Sequence, residues 1–215
     1  MKIIIPARRG SKGLPFKNRK LFSRTQDLIL KCWHEILGSK SDVIVATDDE
    51  EIQRMAESAG FTWIDRPDRV SNDRASTKSL VQYVISEFDL RSEILMVLYL
   101  TYPERTVDDI MQAISLFVSG PNQSLLCKKE IDWTPFLVLR EEPGGRGSQL
   151  FHHDLYRRQD YPKCFELSHY ICILKSDSIN KLNNNLYNID TVYYPIDPKT
   201  VDVDTQEDLD LIEDA

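Results

Sequence analysis

No stretch of this chain approaches the roughly 20 consecutive apolar residues that a membrane-spanning helix needs. The opening segment, MKIIIPARRGSKG, has an apolar run too short for a signal peptide, and charge follows where a small-residue cleavage site would stand. A cytoplasmic protein with no membrane partner is therefore expected. The four cysteines, Cys32, Cys127, Cys164 and Cys172, have neither the density nor the paired spacing of a disulfide or zinc framework, so reduced structural thiols are expected. Positive charge is in deficit as well. The 27 Lys and Arg face 34 Asp and Glu, a net charge of −7, which argues against a nucleic-acid partner.

What is present is the composition of an ordinary folded domain, 215 residues with 41% hydrophobic and 28% charged side chains. Short apolar runs at Lys2–Pro6, Val43–Ala46, Phe61–Ile64, Ile94–Leu100 and Ser124–Cys127 read as buried strands. Between them, apolar residues recur at helical spacing: Ile29, Trp33 and Ile36 with a stop at Gly38, Ile52 to Ala59 ending at Gly60, Leu80 to Phe88, and Ile110 to Phe117. This alternation predicts one α/β domain over 1–215, a mostly parallel, Rossmann-like sheet flanked by helices. Residues 132–163, with Pro135, Pro143, Gly144, Gly145, Gly147 and Pro162, lack periodicity and read as an excursion serving as a lid or dimerisation arm. The chain then returns through Phe165–Leu174, an Asn-rich turn at Asn183–Asn185, a strand near Thr191–Pro195 and a helix from about Thr205.

The charge is unevenly placed. Residues 1–24 carry eight Lys or Arg and no acid, whereas residues 197–215 carry eight acids and only Lys199. Two solvated faces would account for this, and so would a site holding a polyanion together with a divalent cation. The basic end contains Pro6-Ala-Arg-Arg-Gly-Ser-Lys-Gly-Leu-Pro-Phe-Lys-Asn18, directly after the first strand, where open α/β sheets bind ligands. Gly10 and Gly13 permit close backbone approach, and Arg8, Lys12 and Lys17 add cations able to surround a polyphosphate. The loop is neither a Walker A sequence nor G-x-G-x-x-G.

The acidic end contains Val201-Asp-Val-Asp-Thr205. In an extended segment Asp202 and Asp204 share a face, and two such carboxylates suit Mg²⁺, whose remaining positions go to water and phosphate. Capping of the last helix is the plainer role, with Thr205 and Asp208 as the reciprocal pair. Thr47 or Asp48 reads as an N-cap, and Ser76 or Thr77 as a cap or a base contact. Tyr156-Arg-Arg-Gln-Asp-Tyr-Pro162 offers Arg side chains suited to a carboxylate or to a plain surface turn. Cys164, His169 and Cys172 read as strand packing, because their spacing fits no zinc site.

Taken together, the opening loop, Val45-Ala-Thr-Asp-Asp-Glu-Glu-Ile52, Arg66-Pro67 with Asp73, Thr101-Tyr-Pro-Glu-Arg105, Arg157-Arg-Gln159 and Val201-Asp-Val-Asp-Thr-Gln-Glu-Asp-Leu209 resemble the acylneuraminate cytidylyltransferase family in register across essentially the whole chain. The resemblance implies a nucleotidyltransferase fold. It also implies an enzyme that joins CMP from CTP to a 2-keto sugar acid of sialic, legionaminic or pseudaminic type, with Mg²⁺, and releases pyrophosphate for surface glycan synthesis. Arg8, Lys12 and Lys17 then serve the triphosphate as catalytic residues. Ala7, Gly10, Ser11, Gly13, Asn18, Arg66, Asp73 and Ser76 complete the nucleotide site, and Asp202 and Asp204 hold metal. Tyr99, Thr101, Arg158 and Gln159 fall on the sugar side, and residues 132–190 contain the dimerisation and sugar-side subdomain of an expected homodimer.

Two departures lie on the acceptor side: Tyr99-Leu-Thr-Tyr-Pro103 stands where the family has Gln-Pro-Thr-Ser-Pro, and Ser168-His-Tyr170 where it has Asn-Gly-Ala. A 3-deoxy-manno-octulosonate enzyme, or a non-catalytic CTP-binding protein with a drifted acceptor site, are the alternatives.

Overall fold

The structure, a computed structural model, describes residues 1–10, 13–72 and 74–213. Among these, seven strands form one sheet in the order β3-β2-β1-β4-β8-β5-β9. They are β1 (Lys2–Pro6), β2 (Val43–Thr47), β3 (Thr62–Asp65), β4 (Ile94–Val97), β5 (Ser124–Glu130), β8 (Phe165–Lys175) and β9 (Val192–Ile196). The ladders given for the sheet are parallel except where β8 runs antiparallel between β4 and β5. A second sheet is the hairpin of β6 (Leu139–Glu142) and β7 (Arg146–Gln149), turned by Gly144 and Gly145 at φ +79° and +73° as a tight hairpin requires.

The helices are α1 (Lys17–Ile36), α2 (Glu50–Ala59), α3 (Asp68–Ser71), α4 (Thr77–Phe88), α5 (Val107–Val118) and α6 (Gln206–Glu213). Both faces of the large sheet are covered, which is why its strands read as continuous apolar runs. Ile3 and Ile5 pack with Leu21, Phe22 and Ile29 of α1, Ile52 of α2 and Phe117 of α5. Ile4, between them in sequence, turns to the other layer with Val81 and Val84 of α4. The chain runs outward through β1, β2 and β3, then crosses back to place β4 on the other side of β1. This reversal opens a crevice beyond the carboxyl ends of β1 and β4.

Three boundaries differ from expectation. α1 begins at Lys17, behind Phe16 in the left-handed region at φ +56°, and ends at Ile36 rather than Gly38 because Leu37 is already extended. The N-cap of α2 is Asp49, whose side chain accepts from the Glu51 N–H, and not Thr47 or Asp48. Thr47 accepts from the Asp49 N–H at 3.1 Å, and Asp48 accepts from the Arg9 N–H at 2.6 Å, tying the basic loop to the end of β2. β4 stops at Val97 although the apolar run continues to Leu100: the Leu98 N–H still reaches the Ile4 carbonyl of β1 at 3.0 Å, and Tyr99 and Leu100 then line the crevice.

Candidate active site

Everything built around the crevice starts from the exit of β1. Asn18, 9% exposed at the start of α1, donates from Nδ2 to the Arg8 carbonyl at 2.8 Å and so fixes the loop against the helix that follows it. Lys17 reaches across the crevice, its Nζ 2.6 Å from Asp204 Oδ1 although 187 residues separate them. At Gly13 a Cβ would collide with the Asp204 carbonyl oxygen, so only glycine allows this approach of the two backbones. At Gly10 a Cβ would meet no described atom within 4 Å, and the close-approach requirement therefore falls on Gly13.

The acidic segment is docked by a backbone bond, Val203 N–H to the Thr101 carbonyl at 2.8 Å, directly past β4. Residues 201–204 are in no strand, but burial alternates along them: Val203 is fully buried and Asp202 and Asp204 are exposed on either side. Thr205 and Asp208 form the expected reciprocal cap, with Thr205 N–H on Asp208 Oδ2 at 2.8 Å and Asp208 N–H on Thr205 Oγ1 at 3.3 Å. Hydrogen bonds from the Asp204 and Thr205 amides hold the Asp208 carboxyl below its ordinary value.

Beside the Lys17–Asp204 contact lies a cavity of about 230 Å³ lined by Arg8, Lys17, Asn18, Arg66, Tyr99 and Thr101, among others. Arg66 is buried, donates from Nε to the Val70 carbonyl at 2.6 Å, and is pushed below its usual pKa by burial, with Asp48 opposing the shift and Arg8 adding to it. A second cavity of about 340 Å³ adjoins the first, sharing Ala75, Thr77, Tyr99 and Thr101. Its further lining is Ser76, Tyr102, His169, Asn184, Asn185 and Asp202, and among the described residues no Lys or Arg lines it.

Tyr99 stands in the wall common to both cavities. Its hydroxyl is hydrogen-bonded to Thr77 Oγ1, its ring meets His169 edge-on at 5.6 Å between centroids, and burial raises its pKa. Ser76 is the N-cap of α4, accepting from the Ser79 N–H at 3.1 Å, while it also lines the second cavity.

Of the residues singled out from sequence, Arg8, Lys17, Asn18, Arg66, Ser76, Tyr99, Thr101, Asp202 and Asp204 meet around these two cavities. Ala7 is buried at the end of β1, its N–H on the Ala46 carbonyl at 2.9 Å. Ser11, Lys12 and Asp73 lie outside the described residues. Arg158 and Gln159 are not brought to Tyr99 and Thr101 within one chain. They sit on an exposed turn of the excursion, where Arg158 lines a separate cavity with Trp133, Leu137 and Tyr156. Sequence reading passed over Tyr102, His169, Asn184 and Asn185. An Asn-rich turn signals only a turn, and His169 looks like any strand residue until β8 is placed beside β4.

Among the described residues no cluster of three or more His, Cys, Asp or Glu is placed to hold a metal ion, so a cation here would rest on Asp202 and Asp204 with oxygen from elsewhere.

The cytidylyltransferase family model matches residues 2–101, which include β1 to β4, the lining of the first cavity and Ala75, Ser76, Thr77, Tyr99 and Thr101 of the second. Post-translational flagellin modification protein B of Campylobacter coli is 26% identical over 219 residues, covering 97% of this chain and 92% of that protein. N-acylneuraminate cytidylyltransferase of Streptococcus agalactiae serotype V is 26% identical over 210 residues, covering 95% of this chain but 50% of that enzyme, so the chain spans half the length of this relative. Among solved structures, CMP:2-keto-3-deoxy-manno-octonic acid synthetase complexed with CTP superposes with a TM-score of 0.69 at 16% identity over 99% of this chain and 96% of that one, a likeness of fold. The family match takes in the basic loop, and the relatives align along nearly the whole length of this chain, so its similarity is to cytidylyltransferases.

Proposed function

We propose that this chain joins CMP from CTP to a 2-keto sugar acid of sialic, legionaminic or pseudaminic type for surface glycan synthesis. The observation that carries this reading is the meeting of Lys17 and Gly13 with Asp204 beside a cavity lined by Arg8 and Arg66. That is a place for a triphosphate between cations on one side and carboxylates on the other. In the reaction the anomeric hydroxyl of the acceptor attacks the α-phosphorus, the bond to the bridging oxygen of the β-phosphate breaks, pyrophosphate leaves, and the hydroxyl proton passes to solvent. Such transfers depend on positioning and charge neutralisation. Arg8, Lys12 and Lys17 would offset charge growing on the departing pyrophosphate, and Asn18 would hold the loop that presents them.

The donor set fits Mg²⁺. Asp202 and Asp204, exposed carboxylates flanking a buried valine, would hold the ion, with phosphate oxygens and water supplying its other ligands. When bound, the ion would polarise the α-phosphate and neutralise part of the triphosphate charge.

A homodimer belongs to the same reading. Trp133, Leu137 and Tyr156 of the excursion are 57%, 65% and 86% exposed, an apolar surface suited to a second copy. Arg158 lies on that arm, so a second copy could bring it to an acceptor carboxylate that the second cavity does not itself match with a described cation. The four free cysteines suit the cytoplasm.

A pyrophosphate-release assay with CTP and a panel of nonulosonic acids plus 3-deoxy-manno-octulosonate tests the reading. Turnover with a nonulosonic acid supports it and names the substrate. Turnover with the octulosonate alone moves the acceptor class, and CTP binding without any turnover makes the chain a nucleotide-binding module.

A further inference from the structure

The sheet comes apart at one place, and a buried cation fills the gap. β4 pairs with β8 as far as Val97 opposite Cys172. On its other edge β8 pairs with β5 at Phe165–Ser168 and again at Ile173, with a register shift between. Residues 169–171 of β8 therefore stand outside both ladders, opposite the segment in which Tyr99 and Leu100 follow the end of β4. This fork, between two strands that have stopped pairing, lies beside the two cavities.

Arg105 sits in the fork. It is 5% exposed, and its guanidinium has no carboxylate partner among the described residues. Nε donates to the Tyr170 carbonyl at 2.6 Å, and Nη2 donates to the Tyr99 carbonyl. The cation lies 5.8 Å from the Tyr102 ring centroid and 5.5 Å from that of Tyr170, while Nη1 has no hydrogen-bond partner among the described residues. Burial pushes its pKa down to about 10.

An unpaired buried cation is costly, so packing alone is a poor account of it. A planar guanidinium can bridge two carbonyls that no strand reaches, and aromatic faces partly replace its lost hydration. What it bridges is specific. One carbonyl belongs to Tyr99, whose side chain walls both cavities, and the other to the residue after His169, which meets the Tyr99 ring. Tyr170 is held a second time by its hydroxyl, which donates to Asp109 Oδ2 of α5 at 2.7 Å. Tyr99 is held a second time as well, by its hydroxyl on Thr77 and by the Tyr102 N–H on its carbonyl at 3.4 Å, so Arg105 spans two anchored walls of the fork.

We propose that Arg105 is a positioning residue for the acceptor: by bridging the Tyr99 and Tyr170 carbonyls it sets the width of the fork and holds Tyr99 as the partition between the nucleotide cavity and the acceptor cavity. The inference rests on the function proposed above and deepens it. Because Arg8, Lys17 and Asn18 are carried by other elements, the effect falls on acceptor recognition and leaves CTP recognition in place.

The test uses Arg105→Met, which keeps length without charge, and Arg105→Lys, which keeps charge without the planar fork. CTP affinity is read by equilibrium titration, and KM for the acceptor and kcat by pyrophosphate release. In the methionine variant, CTP affinity within about twofold of wild type and an acceptor KM raised roughly tenfold or more are expected, the loss of two charge-assisted hydrogen bonds. The lysine variant should fall between that and wild type. The proposal is overturned if the folded methionine variant keeps the wild-type acceptor KM, if both affinities weaken in parallel, or if neither variant folds. A wild type that binds CTP but turns over no acceptor removes the functional reading and this inference with it, whereas the other three outcomes leave that reading standing.

Discussion

The two adjoining cavities use opposite chemistry although they share four residues. The first is lined by Arg8, Lys17 and Arg66, cations set close to backbone at the exit of β1. The second presents hydroxyls of Ser76, Thr101 and Tyr102, amides of Asn184 and Asn185, a half-buried His169 and the carboxylate of Asp202. Burial holds the His169 pKa below its ordinary value, which favours the neutral ring. A charge-lined cavity recognises phosphate whatever compound carries it. A cavity lined by neutral donors and acceptors discriminates by shape and hydroxyl pattern. Of the departures from the resembled pattern, His169 lines this second cavity and Tyr99 stands in the wall common to both.

The sharpest way to break the contrast is Lys17→Ala. Removing one preorganised cation facing the leaving group should lower kcat/KM for CTP by roughly 10²–10³ in a folded protein, measured by pyrophosphate release. On the proposed metal role of Asp204, Asp204→Asn should lower turnover by about 10² and move the Mg²⁺ dependence to higher concentration. Near-normal Mg²⁺-dependent turnover would remove Asp204 from the metal site.

Asp49→Asn probes the frame behind the first cavity. Burial would raise this carboxyl, but hydrogen bonds from Arg19 and the Glu51 amide outweigh it, and the net shift is downward. A lowered folded value stabilises the protein above the unfolded pKa of about 3.9 and loses that contribution as pH falls through the folded value. The variant should therefore lower Tm at pH 7 and differ less from wild type near pH 3. The smallest effect is expected for Tyr99→Phe, which removes one hydroxyl bonded to Thr77. It should raise the acceptor KM about three- to tenfold, the worth of one hydrogen bond, with the KM for CTP unchanged.

The basic loop and the Asp-x-Asp segment were legible because each carries its chemistry within a dozen residues. Capping by Ser76, Thr205 and Asp208 was legible for the same reason. The cap of α2 was misplaced by one or two residues, since Thr47, Asp48 and Asp49 all have capping side chains and only the tie of Asp48 to Arg9 and of Asp49 to Arg19 distinguishes them. The early end of β4 had no local signal. Leu98 and Leu100 are as apolar and buried as the strand before them, and Leu98 keeps its bond to the Ile4 carbonyl of β1, but the pairing with β8 ends at Val97.

Sequence alone determined the alternating α/β order and the location of charge at the two ends, because periodicity and composition act over neighbouring residues. Tertiary structure decided that Lys17 meets Asp204, that Arg158 stands apart from Tyr99, and that Arg105 closes a fork in the sheet. These are contacts between distant segments. They depend on strand order and on where two ladders stop, and neither quantity is written in any one stretch of the chain.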